Sequence, residues 1–100
     1  MSLPKSYDEF QNSFQSDEPP EMWPEALKAL WWDARGNWEA SHEIAQEISS
    51  DIGCWIHGYL HRKEGDKWNA GYWYQRAGRS FPTATLEEES KEMVLVLLKK

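Results

Sequence analysis

The chain has 100 residues, seven of them Trp, with one cysteine and a formal charge of −6. That length allows one domain with one modest core, and the negative charge argues against general affinity for nucleic acid or an anionic membrane surface. A lone cysteine, Cys54, excludes an internal disulfide and fits a reducing cytoplasm, where it reads as a small buried hydrophobe.

Met1 to Pro4 is expected to be unstructured, and the pattern contains no charged-then-apolar leader. Ser6-Tyr7-Asp8-Glu9 fits a capping box, with Ser6 as cap and Glu9 reaching back. Tyr7, Phe10 and Phe14 then share one face of a short helix ending near Ser16. The acidic, proline-containing stretch Asp17 to Pro20 breaks the helix and reads as a linker. Residues 1–19 are thus expected as a short helix plus linker, and 20–100 as one helical domain.

Pro24 suits the first position of a helix, because its missing amide costs nothing there. The helix is expected over Glu25 to Arg35, closed by Gly36, with Ala26, Leu27, Leu30, Trp31 and Ala34 as its apolar face. Asn37 caps a second helix, Trp38 to Ser49, with Trp38, Ser41, Ile44, Ala45 and Ile48 as the buried stripe. His42 and Gln46 flank that stripe one turn apart.

From Ile52 to Glu64 the sequence carries no proline and ends at Gly65, which tolerates a left-handed turn. Asp66 follows as N-cap, its charge suited to the positive end of the next helix. Ala70, Tyr74 and Ala77 lie on one face of that helix, which stops near Gly78 ahead of Pro82. The stretch Gly36 to Ala40 echoes Gly65 to Ala70. With one residue of slip, Trp38, Ala40 and Ile44 correspond to Trp68, Ala70 and Tyr74. Two hairpins, Glu25–Ser49 and Ile52–Gly78, form a degenerate internal repeat on this reading.

After a loop from Ser80 to Thr85, Thr85-Leu86-Glu87-Glu88 fits a second capping box. The final helix, Leu86 to Lys99, puts Glu87, Glu88 and Glu89 at its positive end and Lys99 and Lys100 at its negative end. Leu86, Met93, Val94, Leu97 and Leu98 give it an apolar side. That side closes the hairpins or, if it overhangs, becomes a homodimer contact. Its aliphatic run, Met93 to Leu98, is too short to span a bilayer.

Gly58, Gly65-Asp66, Ala70, Tyr74, Ala77 and Pro82 have the order and spacing of about one tetratricopeptide repeat, which the segment resembles. The phrase NAGYWYQRAG is also similar to the second helix of Sel1-type repeats. The run LHRKEGDKWNAGYWYQRAG, with SHEIAQ upstream, resembles a family of small bacterial and fungal helical proteins with no assigned activity. These resemblances imply an all-α fold of two tetratricopeptide-like antiparallel hairpins with flanking N- and C-terminal helices. They imply no mechanism. One departure stands out: His57 and His61 occupy positions where the repeat packs large apolar side chains.

His57 and His61 are four residues apart, so they share a helical face and can bind one metal. His42 is the candidate third ligand, because its helix should pack beside theirs. Glu64 extends the same face as a base or fourth ligand. A divalent metal such as zinc would be the cofactor. Against this stand the absence of an HExxH motif and the ordinary alternative, a hydrogen-bonded polar cluster with no cofactor. Trp55, Tyr59, Arg62 and Lys63, with Trp73 and Arg76 on the next helix, are candidates to line a groove for an acidic peptide or protein segment. The opposing reading pairs those cations internally. A non-enzymatic interaction module leads, and a metal-binding or hydrolytic three-histidine site is the alternative.

Overall fold

The structure, a computed structural model, describes residues 3–99. Six α-helices and one 3-10 turn follow one another with no strand among the described residues: α1 Tyr7–Asn12, the turn Ser13–Gln15, α2 Glu25–Ala34, α3 Trp38–Ala45, α4 Asp51–Lys63, α5 Lys67–Arg76 and α6 Leu86–Leu98. The fold is all-α. None of the described helices is long and apolar enough to cross a membrane.

Two antiparallel hairpins organise it: α2 packs mainly on α3, and α4 on α5. Both turn by the same device. Gly36 and Gly65 take φ of 85° and 91°, values that an L side chain resists. The next residue then caps the following helix. Asn37 Oδ1 accepts from the Ala40 amide at 3.0 Å, and an Asp66 carboxylate oxygen accepts from the Asn69 amide at 3.1 Å. Aligning the two turns pairs Ser41 with Ala70 and Ala45 with Tyr74, all of them buried. This corrects the expected one-residue slip. The cap position sets the register, and Trp38 and Trp68 are not equivalent: Trp38 is half-buried and bonds the Leu60 carbonyl, whereas Trp68 is exposed.

Several boundaries differ from expectation for local reasons. Pro24 is the N-cap of α2 rather than its first helical residue. Helix α3 stops at Ala45, short of Ser49. There the amides of Glu47 and Ile48 bond the carbonyls of Ile44 and Ala45 three residues back, which winds the chain into a tight turn. The turn crosses the start of α4 closely. A Cβ at Gly53 would lie 2.1 Å from the Ile48 carbonyl oxygen. At α1, Ser6 Oγ accepts from the Glu9 amide as expected, but the Glu9 carboxylate reaches the Lys5 amide instead of that of Ser6. The Thr85–Glu88 capping box is complete in both directions.

One core spans both hairpins and both flanking helices. Phe10 of α1, Trp31 of α2, Ile56 and Leu60 of α4, Tyr74 of α5, and Met93 and Val94 of α6 are all buried within it. Each fully buried aliphatic side chain of this kind contributes about 1.5–3 kcal/mol. Helix α6 lies against α2 and α4, with α1 beside it. The apolar side of α6 is therefore largely used inside the molecule, leaving Leu95 exposed. Pro4 is buried and Leu3 packs on the core, so that part of the expected unstructured start is ordered; Met1 and Ser2 lie outside the described residues, as does Lys100 at the other end.

Candidate metal centre

The seam between the hairpins is where α3 meets α4, and it carries the histidines. His42 points from α3. His57 and His61 stand one turn apart on α4. Their ligand nitrogens all lie within 4.8 Å of one another. Ring centroids are 4.6 Å apart for His42–His57, 5.3 Å for His42–His61 and 4.9 Å for His57–His61. Helix geometry brings His57 and His61 together, since residues four apart share a face. Packing of α3 on α4 delivers the third ring.

Two indoles wall the group. Trp38 stacks on His42 with centroids 4.8 Å apart and planes 10° apart, and Trp73 of α5 stacks on His57 at 3.9 Å and 13°. The Trp38 indole N–H donates to the Leu60 carbonyl at 2.8 Å, which fixes that ring. Glu64 closes the α4 end, its carboxylate 2.7 Å from His61 Nδ1. A carboxylate there holds the Nδ1–H tautomer and leaves Nε2 of His61 with a free lone pair, the usual outer support of a metal-ligating histidine.

His42 and His57 make one side-chain hydrogen bond among the described residues, to each other, Nε2 to Nε2 at 2.9 Å. One ring must donate and the other accept, so this contact requires a neutral imidazole. Burial pushes the His57 pKa down to about 4, with further lowering from His42 and His61. Burial likewise lowers His42, His61 adds to that, and Glu64 and Glu43 oppose it. Neutral imidazole is the metal-binding form. Two nitrogens bound to one tetrahedral zinc sit roughly 3.3 Å apart for bonds of about 2.05 Å. The observed spacings, 2.9 Å between the Nε2 atoms of His42 and His57 and no more than 4.8 Å across the three ligand atoms, bracket that value. The residues present fit a divalent transition-metal ion.

The six side chains expected to line a groove are placed differently. Trp55 and Tyr59 are buried, which corrects their expected projection onto an open face. The Trp55 indole donates to Glu89 at 3.0 Å, and the Tyr59 hydroxyl donates to Asp33 at 2.7 Å. Arg62 donates to Glu89 at 2.8 Å and to the Ala84 carbonyl, and Lys63 pairs with Asp33 at 2.9 Å. Trp73 belongs to the wall of the histidine group. Of the six, Lys63 is exposed despite its ion pair, and Arg76 points outward, bonded to the Tyr72 hydroxyl and lying over the Trp73 ring. The cations of α4 are paired internally, but with Asp33 and Glu89 rather than the nearby Glu64 and Asp66.

The sequence marks Glu89 only as a dipole charge of α6 and does not mark Asp33 at all, yet each anchors a network. Glu89 is 1% exposed and accepts from Trp55, Arg62 and the Tyr74 hydroxyl, the last at 2.7 Å. Burial, reinforced by these neighbouring carboxylates, drives the Tyr59 and Tyr74 hydroxyls far above their ordinary pKa. The available signal was position: Asp33 and Glu89 continue the apolar stripes Ala26–Ala29–Leu30 and Leu86–Met93.

No protein family, curated protein or solved structure matches this chain.

Proposed function

We propose that this protein binds one divalent transition-metal ion, zinc first, through His42, His57 and His61. The observation that supports it best is the convergence of three imidazoles within 4.8 Å at a helix seam. Two of them have lowered pKa values, and the third is oriented by a carboxylate. Imidazole suits zinc, nickel and copper. Three protein nitrogens leave one position of a zinc tetrahedron for water or for Glu64. With water in that position the centre has the open form used for hydrolytic and Lewis-acid chemistry, in which bound water ionises near neutral pH. With Glu64 there the centre is closed and clamps α3 to α4.

The test is zinc calorimetry on chelator-treated protein, with metal analysis of the protein as purified. One ion per chain is expected, with affinity lost in H57Q and H61Q. Sub-stoichiometric zinc, or equal binding by wild type and both variants, contradicts the reading.

A further inference from the structure

The outer side of α5 carries a row unlike the rest of the surface. Trp68 is 81% exposed and Tyr72, one turn on, is 46% exposed. Arg76 follows one turn later, its guanidinium 3.2 Å from the Tyr72 hydroxyl and within 5.9 Å of that ring's centroid. The inner side of the same helix holds Ala70 and Tyr74 in the core, so the row has no structural duty there. An exposed Trp is costly to leave in water, and aromatic residues with Arg are the side chains that dominate binding hot spots.

Charge narrows the occupant. Among the six α-helices, α5 alone contains no Asp or Glu, while it carries Lys67 and Arg76. Neither cation has a carboxylate partner among the described residues. The chain as a whole carries −6. A basic, aromatic row on an acidic molecule complements an acidic segment with an apolar anchor. Nucleic acid is disfavoured because the surrounding charge repels a phosphate backbone over about a Debye length. A second copy would bring two such acidic surfaces together.

We infer that the Trp68–Tyr72–Arg76 row is a docking surface for a short acidic segment of another protein, with Trp68 and Tyr72 gripping an apolar side chain and Arg76 pairing with a carboxylate. This does not depend on the histidine centre. The full chain is panned against a phage-displayed library of random peptides about twelve residues long, roughly three helical turns. Enriched peptides are then synthesised and titrated against wild type, W68A and R76E. The expected result is enrichment of acidic peptides with an apolar residue, roughly tenfold weaker binding by either variant, unchanged melting in W68A, whose side chain lies outside the core, and slightly lowered melting in R76E, whose carboxylate meets the negative end of α5. Any of four results overturns the inference: no enrichment, enrichment of neutral or basic sequences, equal affinity in the variants, or dimerisation through this row in sedimentation.

Discussion

Glu89 and His57 are both buried polar side chains, and the molecule treats them in opposite ways. Glu89 is surrounded by donors: an indole N–H, a guanidinium and a phenol converge on its two oxygens. Asp33 is handled similarly by Tyr59 and Lys63. His57, 6% exposed, has no carboxylate; its neighbours are two more histidines and an indole face. A buried charge needs full pairing to be tolerated, and the carboxylate networks supply it. Three imidazoles share one nearby carboxylate, that of Glu64 at His61; protonated together they repel one another, but as neutral bases they suit a cation. The first arrangement holds the fold together. The second gathers lone pairs that no donor outside the cluster satisfies at His42 and His57.

The contrast can be broken from either side. The largest effect is expected on the carboxylate side. E89A strands Arg62 and two buried donors, so urea unfolding should show a loss of about 3–5 kcal/mol. Restored stability in an Arg62-to-Met, Glu89-to-Leu double variant would identify the charge, not the packing, as the cause. Loss of less than about 1 kcal/mol in E89A would mean that the network is not holding α6 to α4.

Next comes acid sensitivity of the metal-free protein. His57 has an ordinary pKa of 6.5 in the unfolded chain and about 4 in the fold. The unfolded chain therefore takes up a proton that the fold refuses. The stability from this group is complete above about pH 6.5, falls as pH drops towards 4, and changes no further below that. The span is at most about 3 kcal/mol, reduced by solvent screening at the rim of the cluster. H57Q should flatten that slope, and an unchanged slope in H57Q would place the titration elsewhere.

Saturating metal follows. Zinc at 100 times its dissociation constant should add about 2.7 kcal/mol to wild type, with no gain in H57Q. Smallest is D33A, at roughly 2 kcal/mol, because Lys63 can swing into water while the Tyr59 hydroxyl cannot. An effect of D33A on zinc affinity would show that the two kinds of cluster are not separate.

Much of the fold was legible because its signals are local. Gly-Asn and Gly-Asp turns, the Thr85–Glu88 box and the three- and four-residue spacings are written in adjacent residues. The histidine pair on α4 was legible for the same reason, and His42 followed once the hairpins were set side by side. What escaped depends on distance in sequence. Arg62 finds Glu89, and Lys63 finds Asp33, only after α6 and α2 pack on α4. Glu89 looked like one of three carboxylates serving the dipole of α6, although helical phase alone turns it inward. Trp55 and Tyr59 were read as groove-lining because a repeat template, not their burial, set their direction. The early end of α3 was missed because Gln46 to Ser49 contains no Pro or Gly, and the tight crossing over Gly53 is a tertiary constraint.

Cobalt(II) titration of the chelator-treated protein, followed by visible absorption, tests the metal centre most directly. The account predicts intense tetrahedral ligand-field bands that saturate at one cobalt per chain, are displaced by zinc, and disappear in each single variant H42Q, H57Q and H61Q. Bands that never form, or that survive loss of any one of these imidazoles, would contradict it.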